Sequence, residues 1–446
     1  MGQEYDFGVG IARLGIALNH FADECGMIRC DHSRLLSALW RMGLFVGEPF
    51  VGADGESVVV LSQGEITDSP ERFAGARMVI DGVVHCGDVA VGCDAPAEAV
   101  VMKVVECDAP RSLNMAGQLI PQLMVTIPES ALNRYDQLVE GAGECRCGEV
   151  VAQMDALRRA DLFSRLVVER LQRKCGVVEE VFRACDEDWN QTMYTMLFRA
   201  MGDHRNQAAF QQLARAVPYY VLSRERGSID NVETLLLGSS GLLCRYFGDE
   251  HTRHIKQDFE YLARKHSITP LRGGEWTLAG INPNNSPIMR IVQLAGYVSR
   301  TDFIFSKLMA CRTVEDIHQV LGNGEGRASE YWERHFAPGK NSTRRTKRLG
   351  DAKINLLGIN FVVPLMFAYG RSLDREDLKE RALDLLELLK AESNYITRHW
   401  SGRGVPLNNA FDTQAVIQLE NEYCVGRGCW KCHIGRGEIK KSLETL

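Results

Sequence analysis

Three cysteines lie within nine residues near the C-terminal end of the sequence, Cys424, Cys429 and Cys432, at C-x4-C-x2-C spacing. Thiolates select zinc or the iron of iron–sulfur clusters, and a structural site of either kind uses four protein ligands. Three positions of high backbone freedom lie among and beyond them, Gly426, Gly428 and Gly435. The spacing predicts a metal-binding cysteine knuckle over residues 423–436, with its fourth ligand either His433 or a residue from elsewhere.

A second group of residues is suited to binding anions. The polar segment 322–353 contains a basic run, Arg344, Arg345, Lys347 and Arg348. Before it, Asn285 or Ser286 can cap a helix that starts at Pro287 and carries Arg290 and Gln293 on one face. A helix N-terminus beside a guanidinium favours an anion, and Lys and Arg bind nucleic-acid phosphates. The five basic residues are therefore candidate nucleic-acid ligands; the alternatives are a solvated loop and a buried, hydrogen-bonded arginine.

Acidic residues crowd the first third of the chain, Asp68, Glu71, Asp81, Asp88 and Asp94. A pair of carboxylates that includes Glu71 could hold a metal ion. We favour the alternative of turn chemistry and solvated edges, because Asp81 precedes Gly82 in a hairpin signal. No catalytic residue is assigned. The sequence has no Ser-His-Asp elbow, no Walker loop and no Gly-x-Gly-x-x-Gly after a strand, so no nucleotide cofactor is expected.

Composition narrows the class of protein. The chain has 446 residues, enough for two or three domains, a net charge of −6 and 14 cysteines that mostly occur singly. Such cysteines are typical of reduced thiols in a cytoplasmic protein. The longest apolar run, residues 359–369, contains Asn360 and Pro364 and falls short of the ~20 residues that cross a bilayer. We expect a cytoplasmic protein without a membrane partner, in which any polyanion contact is local.

The spacing of apolar residues changes along the chain, from the pattern of strands to the pattern of helices. Short β-branched runs between residues 58 and 127 predict a small mixed sheet, and later apolar residues recur at helical spacing, with one long buried helix over 372–400. Polar residues on these helices are expected to satisfy one another, Glu169, Arg170, Glu233, Glu392 and Asn394. The prediction is an α+β protein with an extension 1–32, a sheet domain 33–140, a linker 141–149, an all-helical domain 150–422 and the knuckle 423–436.

Several stretches resemble a bacterial family known as domain of unknown function 2851. They are residues 168–174 (VERLQRK), 232–238 (VETLLLG), 283–287 (PNNSP), 359–364 (INFVVP) and the cysteine knuckle, in the family's order. The resemblance implies that the sheet domain is similar to PD-(D/E)XK nucleases, in which two carboxylates hold magnesium. The family's two acids fall here on Arg72 and Ala90, which implies an inactive nuclease-like domain.

The resemblance also implies the fourth ligand of the knuckle, a cysteine just upstream of the helix that contains residues 168–174, which matches Cys145 or Cys147. Zinc and a [4Fe–4S] cluster both suit four thiolates. The leading hypothesis is nucleic-acid binding or processing, with the nuclease-like domain turned into a binding module. The alternatives are a non-enzymatic protein-interaction scaffold and a metal-dependent hydrolase that uses other residues.

Overall fold

The computed structural model describes residues 33–69, 71–92, 95–96, 99–105, 111–114, 116–139, 147–246, 249–322 and 328–444. The predicted N-terminal extension and residues 141–146 of the predicted linker lie outside these ranges. The chain divides into two compact units. The first comprises Met1–Arg159, Gly402–Val405 and Leu419–Leu446, and the second comprises Ala160–Ser401 and Pro406–Gln418. The predicted α+β class is confirmed, because a mixed sheet comes first and a larger helical region follows.

The first unit is built on a seven-stranded mixed sheet. Its strands are β1 (Pro49–Val51), β2 (Ser57–Ser62), β3 (Glu65–Ile66), β4 (Arg72–Ile80), β5 (Val83–Val91), β6 (Val100–Val105) and β7 (Gln122–Met124). They are ordered β1-β2-β4-β5-β6-β7, with β3 also paired to β4, and the β5–β6 and β6–β7 pairs are parallel. The predicted hairpin joins β4 to β5, and its turn residues Asp81 and Gly82 have φ of 46° and 82°.

Apolar side chains of the sheet and of the flanking helices form the core of this unit. The helices are Ser33–Arg41, Glu129–Val139, Gly148–Gln153 and His433–Glu444. Trp40 is fully buried and lies against Phe73 of β4, with ring centroids 6.3 Å apart. Ile439 of the last helix is buried in the same cluster. The C-terminal segment therefore contributes to the core of the sheet unit.

The second unit is helical. Its principal helices are Ala156–Ala184, Trp189–Met201, Asp203–Ala216, Tyr219–Glu225, Ile229–Ser239, Glu250–His266, Pro287–Arg300, Ile304–Ala310, Val314–Gly322, Glu330–Glu333, Asp351–Leu357, Val363–Ser372, Glu376–Leu388, Tyr395–Gly402 and Ala410–Leu419. A two-stranded antiparallel sheet, His335–Ala337 with Lys340–Asn341, lies in the predicted polar segment.

The single helix predicted over residues 372–400 was wrong. The chain forms Glu376–Leu388 and Tyr395–Gly402 instead. It leaves the first helix at Leu389, which adopts an extended conformation with ψ 144°. The second helix has its own start signal, because the Asn394 side-chain oxygen accepts a hydrogen bond from the Thr397 amide at 3.0 Å.

Residues Asp351–Ser372 form one continuous helix of 22 residues, with a π-helical turn at Gly358–Val362. Its apolar composition and its length would allow it to cross a membrane. However, 72% of its most apolar window is buried inside the protein, as in the core helix of a soluble protein. The helix therefore gives little support for a membrane span.

Candidate functional site

The helix that carries Arg290 begins as the sequence predicts. Ser286 is its N-cap, and the hydroxyl accepts a hydrogen bond from the Met289 amide at 3.3 Å. Pro287 occupies the first turn, where its missing N–H group is not needed. The capped helix Pro287–Arg300 therefore holds Arg290 one turn from its start.

The Arg290 guanidinium is buried, with 6% of the residue exposed. Its Nη1 donates to Gln293 Oε1 at 3.0 Å and its Nη2 to Asn285 Oδ1 at 2.8 Å. Within the described residues its Nε has no hydrogen-bond partner. Burial lowers the pKa of Arg290 from its ordinary value, and the Asp203 carboxylate opposes this change. Both hydrogen-bonded partners are neutral amides, so neither neutralises the charge.

Arg290 lines a cleft of about 430 Å³ together with most of the predicted basic run. The lining residues are Asp203, Asn284, Asn285, Met289, Arg290, Gln293, Arg345, Thr346, Lys347, Arg348, Gly350, Ala352, Lys353 and Leu356. Among these described lining residues five are basic and Asp203 alone is acidic, which gives them four net positive charges. The structure thus brings the predicted helix start and the predicted basic segment to one place.

Lys347 is the second deeply placed cation of the cleft, with 6% of the residue exposed. Its Nζ has no hydrogen-bond acceptor among the described residues and lies 3.3 Å from the centroid of the Phe336 ring. The aromatic face stabilises the ammonium only in part. Burial lowers the pKa of Lys347, and the Arg345 charge lowers it further. This lysine therefore retains capacity to donate to an anion.

Lys353 engages the single acid of the cleft. Its Nζ donates to Asp203 Oδ1 at 2.5 Å and to the Ala200 carbonyl oxygen at 2.9 Å. Burial lowers the pKa of Lys353, while Asp203 raises it. Lys353 was not among the predicted ligands. Its position at the end of the same basic run is the sequence signal that could have identified it.

The three predicted arginines of the run differ in their surroundings. Arg345 and Arg348 are exposed and line the cleft. The Arg348 carbonyl oxygen accepts a hydrogen bond from Gln293 Nε2 at 3.3 Å, which ties the run to the Arg290 helix. Arg344 does not line the cleft, and its Nε donates to Glu333 Oε2 at 2.8 Å. The structure therefore gathers four of the five predicted cations.

A helix N-terminus faces the same cleft. Gly350 precedes the helix Asp351–Ser372 as its N-cap and offers no side chain to cap the first turn. Gly350, Ala352 and Lys353 all line the cleft. The first amides of a helix are unsatisfied by the helix itself and carry partial positive charge. The backbone thus adds to the positive potential of the side chains.

The predicted knuckle is a compact turn within the sheet unit. The Cys432 amide donates to the Gly428 carbonyl oxygen at 3.1 Å. A Cβ atom at Gly435 would lie 2.4 Å from the Cys429 carbonyl oxygen, so glycine is required there. The space around Gly426 is open, with nothing within 4 Å of such an atom. Close packing around the turn therefore depends on Gly435 and not on Gly426.

Cys147 belongs to the same unit, where it is the N-cap of Gly148–Gln153. Burial raises the pKa of Cys147, and the charges of Cys432, Cys424 and Cys429 raise it further. Burial, followed by Cys432 and Cys424, raises the pKa of Cys429 to about 11. The other three thiols therefore lie within electrostatic range of Cys147, and all four are free thiols.

These thiols are near one another, but they are not drawn around a common point as a bound ion would draw them. Among the residues that the structure describes, no group of three or more His, Cys, Asp or Glu side chains is arranged to hold a metal ion. Cys145, the other candidate fourth ligand, lies outside the described residues. His433 is exposed at the first residue of the C-terminal helix.

In the sheet, the two positions at which the sequence resemblance places the family's acids, Arg72 and Ala90, carry other chemistry. Arg72 of β4 pairs in register with Ala90 of β5. The Arg72 Nε donates to Asp88 Oδ2 at 2.9 Å, so this carboxylate is engaged by a cation. Ala90 is buried, with 1% of the residue exposed. Glu71 joins the neighbouring strand through its backbone carbonyl, which accepts from the Val91 amide at 2.8 Å.

The helical unit also contains a chain of polar contacts centred on a lysine that the sequence did not single out. Lys174 Nζ donates to Asn360 Oδ1 and to Gln414 Oε1, both at 2.9 Å. Gln414 Nε2 donates to Glu392 Oε2 at 3.0 Å, and Asn394 Nδ2 donates to Glu392 Oε1 at 3.2 Å. The predicted mutual satisfaction is confirmed for Glu392 and Asn394. Burial places the pKa of Lys174 well below its ordinary value.

These features define an α+β protein with a cationic cleft in its helical unit and a group of neighbouring thiols in its sheet unit. A family model described as protein of unknown function (DUF2851) matches residues 33–395, well over half of the 446 residues. The chain belongs to this family, as the sequence resemblance indicated. No curated protein and no solved structure matches it.

Proposed function

We propose that this protein binds nucleic acid through its phosphates, at the cleft of the helical unit. The observation that carries the proposal is the convergence of five cations on one cleft, Arg290, Arg345, Lys347, Arg348 and Lys353. The acid among the lining residues, Asp203, is already bonded to Lys353. The positive charge of the cleft is therefore open to an external anion.

The electrostatics of Arg290 support an anionic ligand. An arginine does not lose its proton in proteins, so burial leaves the charge in place. Taking such a charge out of water costs several kcal/mol unless a counter-charge is near. Arg290 has two amide acceptors and an Nε without a described partner. A phosphate would supply both the counter-charge and strong, charge-assisted hydrogen bonds.

We propose that the sheet unit takes part in binding or assembly and not in cleavage. Support comes from the Arg72–Asp88 ion pair and the buried Ala90, which stand where the sequence resemblance expects the two metal-binding acids of a nuclease. Incubation with labelled DNA and RNA in the presence of magnesium or manganese tests this. Cleavage that disappears in Asp88→Asn or Glu71→Gln, but persists in Asp68→Asn, would show that the unit is a nuclease.

Binding is tested by titrating labelled single- and double-stranded DNA and RNA at two salt concentrations. Each phosphate contact contributes about 0.7–0.9 to the slope of log affinity against log salt. The double variant Arg345→Met/Arg348→Met is expected to reduce that slope by about 1–2. Arg183→Met is the matched control, because Arg183 is an exposed arginine of the same unit that does not line the cleft.

Two results would contradict the proposal. The first is the absence of salt-sensitive binding to any of the four nucleic acids, which would leave the protein-interaction scaffold as the better hypothesis. The second is binding whose salt slope is the same in the wild type, the double cleft variant and the Arg183 control. That result would mean that nucleic acid contacts another surface.

We also propose that the sheet unit holds a structural metal ion or cluster on Cys147, Cys424, Cys429 and Cys432. Support comes from the tight turn around the last three thiols and from their electrostatic range to Cys147. Zinc or a [4Fe–4S] cluster bound there would cross-link the helix start at Cys147 to the C-terminal turn and stabilise the unit. Reduced thiols of this kind agree with a cytoplasmic location.

The zinc and iron content of anaerobically purified protein distinguishes a zinc ion from a [4Fe–4S] cluster. About one zinc per chain, or about four iron with a brown colour, is the expected result. Cys147→Ser should lower the content, whereas Cys86→Ser should not, because Cys86 is an exposed thiol of the same unit that is absent from the electrostatic neighbours of Cys147. Wild-type protein without either metal would refute the site.

A further inference from the structure

We propose that the cleft recognises the terminal phosphate of a nucleic-acid strand, a phosphate monoester, and not the internal backbone. This inference rests on the proposed function and specifies its substrate. The ligand would be a dianionic end group held between helix Pro287–Arg300, the segment 345–350 and the first turn of helix Asp351–Ser372. Three observations support this choice over an extended track along the strand.

The first observation is the concentration of charge. Four net positive charges line a cleft of about 430 Å³, and two of its cations, Arg290 and Lys347, are each 6% exposed. An internal phosphodiester carries one negative charge, whereas a phosphate monoester carries about −1.5 to −2 at neutral pH. Because deep cations lose more hydration than surface ones, they are best matched by the more highly charged group.

The second observation is the size and lining of the cleft. Its volume lies at the low end of the roughly 300–1,000 Å³ that is typical of small-ligand sites. Proteins that bind strands without sequence preference cover about 4–16 nucleotides and stack bases on aromatic side chains. None of the described residues that line this cleft is aromatic or histidine. The cleft therefore suits one phosphate and its sugar better than a run of stacked bases.

The third observation is the convergence of donors from separate elements. Arg290 has a buried Nε without a described partner, and Lys347 has a buried Nζ without a described acceptor. Gly350 and Ala352 add a helix N-terminus that has no side-chain cap. A monoester has three terminal oxygens that accept hydrogen bonds from different directions, while an internal phosphate has two. Donors from three separate elements therefore suit the three terminal oxygens of a monoester better than the two of an internal phosphate.

The test compares one short single-stranded oligonucleotide, labelled at an internal base, with hydroxyl ends, with a 5′-phosphate or with a 3′-phosphate. Binding is followed by fluorescence anisotropy at fixed salt. One of the phosphorylated ends should bind about 10-fold more tightly than the hydroxyl end, and inorganic phosphate should abolish the difference. Arg290→Met should reduce the preference to less than about 2-fold, whereas the Arg183→Met control should retain it.

Because Arg290 is buried, Arg348→Met provides a second variant at an exposed cleft residue, and circular dichroism checks the folding of both. Loss of the end preference in folded Arg348→Met supports the inference. Salt-sensitive binding by wild type without any preference for a phosphorylated end overturns it and leaves nucleic-acid binding intact. No binding to any oligonucleotide overturns both proposals. An end preference that survives in both cleft variants places the end elsewhere and also overturns the inference.

Discussion

The buried carboxyl of Glu233 should make the stability of the helical unit depend on pH. Glu233 is 1% exposed and accepts three hydrogen bonds, from the Ser329 amide at 2.8 Å, the Ser329 hydroxyl at 2.7 Å and Trp332 Nε1 at 3.1 Å. Burial raises its pKa from 4.5 to about 7, although all three hydrogen bonds act in the opposite direction. Desolvation of the carboxylate therefore outweighs the bonds that favour it.

The sign and size of the effect follow from the pKa of the folded and unfolded chain. Because the folded pKa of Glu233 lies above the unfolded value of 4.5, the group stabilises the folded state fully below pH 4.5. This contribution is lost as the pH rises through about 7. At 1.36 kcal/mol per pKa unit, the loss amounts to roughly 3 kcal/mol.

Urea unfolding followed by tryptophan fluorescence between about pH 5 and pH 8 measures this loss. Glu233→Gln cannot ionise, so its free energy of unfolding should change by roughly 3 kcal/mol less than that of wild type over this range. Near pH 5 the free energy of unfolding of Glu233→Gln should also be lower than that of wild type, because one hydrogen-bond acceptor is replaced by a donor. Glu387→Gln, at an exposed glutamate of Glu376–Leu388, should keep the wild-type pH dependence. If the free energy of unfolding changed with pH in the same way for wild type and Glu233→Gln, the reasoning would be refuted.

Three further substitutions test other contacts. Gly435→Ala should destabilise the sheet unit by about 1–3 kcal/mol in thermal unfolding, because the new Cβ would lie 2.4 Å from the Cys429 carbonyl oxygen; an unchanged midpoint would contradict this. Lys174→Met should cost about 1–3 kcal/mol in urea unfolding, since Asn360 Oδ1 loses its donor while Gln414 Oε1 keeps the Arg170 Nε donor, and a neutral result would mean that water replaces the amine. Asn394→Ala should cost about 1 kcal/mol and speed amide exchange in Tyr395–Gly402; unchanged exchange would show that the cap is dispensable.

Local signals account for most of what could be predicted. The turn at Asp81 and Gly82 needs positive φ at both positions, and few residue pairs tolerate this, so the hairpin was readable from two residues. The same holds for Ser286 and Pro287, whose capping chemistry acts within one turn. In contrast, the break after Leu389 was missed because the regular spacing of leucines outweighed a single cap signal at Asn394.

Contacts between distant segments could be anticipated only in part. The Gln293–Arg348 contact joins positions 55 residues apart, and no periodicity encodes which loop folds over which helix. Composition identified the basic run but did not show which of its side chains are buried. Lys347 was expected on the surface and is in fact buried. Lys174 was passed over because a lysine within a helical pattern is ordinarily solvated. Its acceptor Asn360 lies in the π-helical turn Gly358–Val362, which departs from the regular helical spacing.

Lys174 and Arg290 of the helical unit differ in how each can respond to a loss of hydration. Burial places the pKa of Lys174 well below its ordinary value, and the amine donates to two amide oxygens. Arg290 is likewise held by two amides, but a guanidinium keeps its proton. Arg290 therefore remains a persistent positive charge at the cleft, whereas the pKa of an amine can fall when it loses hydration. That charge lies in a cleft whose described lining residues carry four net positive charges. It is the physical basis for expecting a highly charged anion there.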